Sequence, residues 1–174
     1  MLRMSFGIEH GNEEYRSKML KRNGSNKKMI EAFEYTAGYN YTTTANCIVG
    51  MPEEDRSLIF DTINFCRQLP SHVEHTGAFI FSPFHGTPLR ETAIQKGYLD
   101  ADTICDVSDK KTSTLDQPQL RREEVEGLSK TFGLYQTLPK SEWKYIKVAE
   151  QESPEGHKMF DSLTKIYKNS KIYD

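Results

Sequence analysis

The stretch YTTTANCIV at residues 41–49 decides the fold. It is β-branched at its start and increasingly apolar toward its end, which is typical of a strand covered on both faces of a sheet. The sequence Gly50-Met51-Pro52 follows and ends this strand. LRMSFGIE at residues 2–9 and TGAFIFS at residues 76–82 have a similar composition, and we predict a strand at each.

Helical patterns separate the three strands. We predict one helix from Asn12 to Asn23-Gly24, a second from Ser25 or Asn26 to Gly38, and a third over residues 56–69 with Asp55 as its cap. Crossovers of this length require parallel strands, and such crossovers are almost always right-handed. The predicted fold class is therefore α/β, as a parallel sheet or part of a barrel.

The second half of the chain differs in character. Residues 100–118 form a polar stretch rich in Asp, Ser, Thr and Lys, and helical patterns follow at residues 119–137, 141–150 and 154–168. We therefore predict two parts. Residues 1–99 would be a partial parallel (β/α) barrel of three β/α units, and residues 100–174 a linker with a helical C-terminal extension.

The charge balance argues against a polyanionic partner. The 174 residues carry 23 basic and 25 acidic side chains, a formal net charge of -2, so there is no overall attraction to nucleic acid or to an anionic membrane. Trp143, Tyr145 and Lys147 hint weakly at nucleic acid, but a helix packing its aromatic face on the barrel explains them better. No apolar run reaches the roughly 20 residues of a membrane span, and no signal-peptide segment is evident. We expect a cytoplasmic protein without a membrane partner.

Three cysteines occur, Cys47, Cys66 and Cys105. Their odd number and wide spacing fit neither a disulfide framework nor a compact metal site. Cys47 lies in the apolar strand and Cys66 on the apolar side of a predicted helix, where a free cysteine behaves as a small hydrophobe. We expect all three to be reduced.

Three strand ends carry polar side chains together with glycine or proline: residues 9–12 (EHGN), 50–53 (GMPE) and 82–88 (SPFHGTP). In parallel α/β folds, ligands bind at the carboxyl ends of the strands. Such loops can bring backbone close to a ligand. Each loop taken alone favours an ordinary turn, so spacing by itself leaves the function open.

Three runs taken together resemble the fourth, fifth and sixth strand regions of radical S-adenosylmethionine enzymes, in the variant often fused to a cobalamin-binding domain. The runs are FGIEHGNEEYRSKMLKRN, TTANCIVGMPEEDRSLIFDTINFCRQL and FIFSPFHGTPLRETA. GIE, IVGMPEE and SPFHGTPL are weak motifs singly. Their order and separation over residues 5–93 carry the resemblance, which covers about half of the chain.

The resemblance implies a [4Fe-4S] cluster that binds S-adenosylmethionine through one iron, and a 5′-deoxyadenosyl radical that takes hydrogen from a small-molecule substrate. It also implies an electron donor such as flavodoxin or ferredoxin, with cobalamin as an option in the full-length protein. The family's CxxxCxxC segment, which holds the cluster, does not occur in this sequence. We therefore expect a fragment whose N-terminal half lies upstream, and no radical formation by this chain alone.

By resemblance, Glu9 approaches the bound cofactor, although it could instead cap the following helix. The neighbouring His10 is less clearly placed, because many relatives have a small residue there. Arg22 matches an arginine that pairs with the cofactor carboxylate through a bidentate contact, and is otherwise a surface charge. Asn46 matches the position that contacts the ribose hydroxyls, where the family often has an acid or glycine.

The remaining assignments fall on the second and third strands. Ile48 would pack near the adenine, and Gly50 would permit close approach of the cofactor; both are equally explained as strand core and turn. Glu53 completes this pattern, or only supports the loop or caps the helix that begins near Asp55. Three residues would place backbone groups beside the adenine: Phe81, Ser82 and Pro83. His85 would face either substrate or solvent.

A second hypothesis is a non-catalytic protein that binds S-adenosylmethionine or serves as a scaffold. Such a half barrel would act with a partner chain, because its open sheet edges and exposed apolar faces favour pairing. Solubility and cofactor binding of the isolated chain distinguish the two hypotheses.

Overall fold

The computed structural model describes residues 2–105 and 111–170. Within these residues the chain forms three strands, β1 (Leu2–Glu9), β2 (Tyr41–Val49) and β3 (Val73–Ile80). The helices are α1 (Glu13–Leu20), α2 (Asn26–Tyr35), α3 (Arg56–Cys66), α4 (Pro88–Gln95), α5 (Arg122–Thr137), α6 (Trp143–Ala149) and α7 (Pro154–Ser170). Two short 3₁₀ helices lie at Thr36–Gly38 and Lys140–Glu142.

The strands form one parallel sheet in the order β1-β2-β3. The helices α1 and α2 connect β1 to β2, and α3 connects β2 to β3. The predicted α/β class with a parallel sheet is confirmed, and β1 and β2 have the predicted bounds. The third strand begins at Val73 rather than at residue 76, because Val73 is buried and pairs with Thr43.

One face of the sheet forms the main core. Its strand residues pack with apolar side chains of α3 and α5; the cluster includes Ile8, Cys47, Val49, Ile80, Ile59, Ile63, Leu128 and Phe132. Successive side chains of a strand point to opposite faces, so Asn46 and Ile48 of β2 lie on the other face. That second face is polar toward the amino ends of the strands, where Arg3 and Glu74 form an ion pair of 3.2 Å.

The three predicted caps of the first helices are confirmed. Each side-chain oxygen accepts a hydrogen bond from a backbone N–H three residues on: Asn12 from Tyr15 at 2.9 Å, Ser25 from Lys28 at 3.3 Å and Asp55 from Leu58 at 2.9 Å. Helix α1 ends before the predicted Asn23-Gly24, because Lys21 adopts a left-handed conformation with φ of 56°.

Helix α5 packs on β3 and joins the core of the sheet through Leu128 and Phe132, both fully buried. Residues on both sides of the predicted boundary at residue 99 therefore share one core. A smaller cluster forms around Ala93, Leu99 and Leu115. Part of the polar stretch predicted over residues 100–118, namely 106–110, lies outside the described residues, as do Met1 and residues 171–174.

Helix α4 is absent from the sequence prediction, although Pro88 occupies one of its first positions, where proline favours helix formation. The three later helices lie close to their predicted positions, with α5 starting at Arg122 rather than at residue 119. Among the described helices, none is long and apolar enough to cross a membrane.

Candidate functional site

Two adjoining clefts open at the carboxyl ends of the strands. Cleft A, of about 410 Å³, lies between the end of α1 and the start of α4; its walls are Glu9, Met19, Leu20, Lys21, Arg22, Ile48, Met51, Phe81, Thr87, Pro88 and Leu89. Cleft B, of about 490 Å³, is lined by Gly7, Glu9, Asn46, Ile48, Phe79, Ile80, Phe81, Ser82 and Phe84. Both volumes are typical of small-molecule sites. The clefts share Glu9, Ile48 and Phe81 as a common wall.

Six of the eight residues that the sequence analysis assigns to a cofactor line these clefts. They are Glu9, Arg22, Asn46, Ile48, Phe81 and Ser82. These residues come from all three strand ends and from the loop after α1, so it is the parallel sheet that brings them together. Gly50 and Pro83 line neither cleft.

Glu9 and Arg22 form an ion pair at the opening of the clefts, with Oε1 and Nη1 3.2 Å apart. Glu9 has a φ of 63°, which is uncommon for a residue with a Cβ. Its carboxylate folds over Gly7, where a Cβ would collide with it. The side chains of Glu9 and Arg22 are 20% and 54% exposed. Because the Arg22 side chain is half exposed, this ion pair stabilises little, and an incoming carboxylate can compete with Glu9 for the guanidinium group.

A fully buried pair, His10 and Glu54, joins the loop after β1 to the loop after β2. His10 Nδ1 accepts from the Asn12 N–H at 3.0 Å, so the neutral ring carries its proton on Nε2 and donates it to Glu54 Oε1 at 3.0 Å. Glu54 Oε2 accepts from the N–H groups of Gly50 at 2.5 Å and Met51 at 3.1 Å. Burial raises the pKa of Glu54, while these hydrogen bonds act in the opposite direction.

Tyr15 and Arg16 of α1 support this pair. The Tyr15 ring lies 4.3 Å from the His10 ring, centroid to centroid, and its hydroxyl donates to the Pro52 carbonyl at 2.6 Å. Burial raises the pKa of Tyr15, so the phenol stays a donor. Arg16 is fully buried and donates to the carbonyls of His10 and Gly24. The loops behind the clefts are thus held by buried polar contacts.

Glu53, the neighbour of Glu54 in the sequence, lies outside both clefts. Helix α3 is capped by Asp55 and not by Glu53. The Glu53 carboxylate accepts from the Tyr98 hydroxyl at 2.6 Å and from Lys96 Nζ at 3.2 Å. The hydrogen bond from Tyr98 has the largest effect on the pKa of Glu53 and lowers it. Burial opposes this effect, and the contact with Lys96 lowers the pKa further. Of the three alternatives for Glu53, the structure favours support of the loop.

The two predicted residues outside the clefts contact the scaffold. Gly50 has a φ of 80°, and a Cβ there would lie 2.6 Å from Val125 Cγ1 of α5. The Pro83 carbonyl accepts from Nη1 of the buried Arg90 at 3.0 Å. His85 is exposed, and His10 is buried away from the clefts. In these contacts Gly50 permits helix packing, and Pro83 fixes the loop after β3.

The three cysteines do not provide a cluster site. Cys47 and Cys66 are buried with their Sγ atoms 3.4 Å apart, between β2 and α3. The contact with Cys66 and burial raise the pKa of the Cys47 thiol well above its usual range, which disfavours the thiolate that iron requires. Cys105 lies elsewhere, beside Arg90. Across residues 2–105 and 111–170, no group of three or more His, Cys, Asp or Glu side chains could hold a metal ion. A [4Fe-4S] cluster therefore does not fit this part of the chain.

Several buried polar residues behind the clefts were not predicted from the sequence, among them Arg16, Glu54 and Gln117. A weak signal existed for Glu54, since two adjacent carboxylates follow Pro52, but which of them turns inward depends on the path of the loop. Gln117 stands in a polar stretch whose composition indicates a linker. Nothing local in the sequence marks it as buried.

No protein-family model matches the chain, and no curated protein matches it either. The chemistry must therefore be argued from the clefts. Their walls combine apolar side chains with the amide of Asn46, the hydroxyl residues Ser82 and Thr87, Lys21, and the Glu9–Arg22 pair. This arrangement suits a ligand with an apolar or aromatic ring, hydroxyl groups and a carboxylate.

Proposed function

We propose that this chain is the S-adenosylmethionine-facing part of a radical S-adenosylmethionine barrel. The observation that carries the proposal is that six residues assigned by resemblance, from three strand ends and the loop after α1, line two adjoining clefts. In this proposal the three parallel β/α units are the late units of a partial barrel. The protein would keep the cytoplasmic location expected from its sequence.

The residues of the clefts would bind and orient the cofactor. Asn46 would bond the ribose hydroxyls, since its amide both donates and accepts. Ile48 and the backbone after β3, at Phe81 and Ser82, would hold the adenine. Arg22 would leave Glu9 to pair with the cofactor carboxylate, which it can meet in a bidentate manner. The apolar walls of the clefts would exclude water from the bound adenosyl group.

Radical chemistry would need a second part. One-electron reduction of S-adenosylmethionine would break its sulfur–C5′ bond and give methionine and a 5′-deoxyadenosyl radical. The electron would come through a cluster held outside the described residues. In the described sheet, β1 and β3 each pair with a strand on one side only. Leu2 and Met4 of β1 are 78% and 42% exposed, and such an edge favours pairing with further strands. We therefore propose a partner segment carrying CxxxCxxC, an electron donor such as flavodoxin or ferredoxin, and, as an option, cobalamin.

The direct test is titration of the isotope-labelled chain with S-adenosylmethionine, followed by the amide resonances. We expect shifts at Glu9, Asn46, Ile48 and Ser82. Asn46→Ala should weaken binding about tenfold through the loss of one or two hydrogen bonds. Thr42→Ala is the matched control, because Thr42 lies on the same face of β2 nearer its amino end, and it should bind as the wild type does.

Absence of shifts at millimolar S-adenosylmethionine, or equal loss in both variants, contradicts the proposal. A second experiment separates the enzyme from a scaffold. The chain is co-expressed with the segment encoded upstream, and the complex is assayed for 5′-deoxyadenosine under reducing conditions. Product formation that requires both parts supports the radical enzyme. Cofactor binding by a monomeric chain, with no in-frame CxxxCxxC upstream, supports the non-catalytic S-adenosylmethionine-binding or scaffold half-barrel.

A further inference from the structure

The segment after α4 reaches the loop after β2 through two glutamine side chains. Gln117 is 1% exposed; its Nε2 donates to the Met51 carbonyl at 3.0 Å and its Oε1 accepts from the Glu53 N–H at 2.9 Å. Gln119 Nε2 donates to the Glu54 carbonyl at 3.2 Å and to Gln117 Oε1 at 3.0 Å. Side-chain amides of this one segment thus contact three of the four loop residues 51–54, all except Pro52.

The position of Gln117 is itself fixed by the core. Its backbone pairs with that of Leu120 in an isolated antiparallel bridge, and Leu120 is fully buried in the main core. The amide therefore projects from an anchored backbone. A side chain that is fully buried and uses both ends of its amide on one loop is specific for that loop conformation.

The loop needs such support. Glu53 has a φ of 64°, a conformation that residues with a Cβ rarely adopt. Met51, which forms part of the wall of cleft A, has its N–H bound by Glu54 and its carbonyl bound by Gln117. Without Gln117, the Glu53 N–H would lose its partner and the Met51 carbonyl would keep only its hydrogen bond from the Glu54 N–H, at 3.2 Å. The loop could then relax to a commoner conformation.

We propose that Gln117 is a positioning residue for cleft A: its side-chain amide fixes the loop at residues 51–54 and so determines how tightly the cleft binds its ligand. The binding part of this inference rests on the proposed function. The positioning part does not, because it concerns the loop alone. The helical extension thereby becomes part of the site.

The test compares Gln117→Ala and Gln117→Glu in the full chain with Asp116→Ala, a control at an adjacent, 57% exposed side chain. Hydrogen exchange is measured as protection of the Glu53 and Val49 amides. Gln117→Ala should lower protection of Glu53 about tenfold, as loss of a buried hydrogen bond implies, and leave Val49 unchanged. Asp116→Ala should change neither.

Gln117→Glu tests the role of the donor. A protonated carboxyl group can donate to the Met51 carbonyl, whereas an ionised one cannot. An ionised carboxylate can still accept from the Glu53 N–H, but its second oxygen repels the Met51 carbonyl oxygen, so we expect near wild-type protection of Glu53 in this variant at pH near 5 and lower protection at pH near 8. General destabilisation would not produce this reversal. Unchanged Glu53 protection in Gln117→Ala, or equal loss at Val49, overturns the proposal.

Affinity for S-adenosylmethionine, measured by calorimetry, is the second readout. We expect about tenfold weaker binding in Gln117→Ala and wild-type binding in Asp116→Ala. Wild-type affinity in Gln117→Ala, despite loss of Glu53 protection, overturns the link between loop and cleft. If the wild type itself does not bind but Glu53 protection still depends on Gln117, the proposed function fails and the positioning role is supported.

Discussion

Gly50→Ala should destabilise the protein because the glycine makes room for α5. An alanine at φ of 80° costs about 1–2 kcal/mol through its left-handed backbone. Its Cβ would also lie 2.6 Å from Val125 Cγ1, and overpacking of this kind costs about 1–3 kcal/mol. Together these effects predict a loss of about 2–5 kcal/mol in the free energy of unfolding.

A double-mutant cycle with Val125→Ala isolates the collision. Val125 is 1% exposed, so its truncation alone should cost about 2 kcal/mol. In the double variant the colliding methyl group is gone, and we expect a total loss smaller than the sum of the single losses by about 1–3 kcal/mol. Urea unfolding followed by circular dichroism measures all four proteins. Losses that add to within about 0.5 kcal/mol would refute the contact between the loop and α5.

Two further predictions concern the ion pairs. Burial alone would raise the pKa of Glu150, but hydrogen bonds from Arg56, Tyr135 and Lys147 outweigh it and lower that pKa, so Glu150→Gln should cost about 2–3 kcal/mol at pH 7. Because the folded pKa is depressed, the difference between wild type and variant in urea unfolding should be complete above the unfolded pKa of about 4.3 and be lost as pH falls from there through the lowered folded pKa. A constant difference contradicts this. Gly7→Ala should displace the Glu9 carboxylate from above residue 7 and so shift the Arg22 Nε resonance. The free energy of unfolding should change by less than about 1 kcal/mol. An unshifted resonance counts against the Glu9–Arg22 ion pair.

A strand can be predicted best from the sequence when its own residues and the turns beside it indicate it. β1 and β2 have their predicted bounds, since LRMSFGIE and YTTTANCIV are each bounded by glycine turns. β3 was placed too late, because its first residues, Val73-Glu74-His75, mix polar side chains with one buried valine. That valine is recognised as a strand residue only through its pairing with Thr43 in β2.

The cleft residues were predictable for a related reason. Parallel strands deliver their carboxyl ends to one edge, so Glu9, Asn46 and Phe81 had to lie near one another once three β/α units were recognised. The residues behind the clefts were not predictable. Whether Glu53 or Glu54 turns inward, and whether Gln117 is buried, depends on contacts between segments more than 40 residues apart that no local pattern records.

Binding of S-adenosylmethionine in clefts A and B is tested most directly by intermolecular nuclear Overhauser effects between the ligand and the methyl-labelled chain. We expect contacts from the adenine ring protons to the Ile48 methyl groups and the Phe81 ring, which lie in the common wall of the two clefts. Contacts instead to the Leu58 methyl groups, in the groove between α1 and α3, or no contacts at saturating ligand, would contradict it.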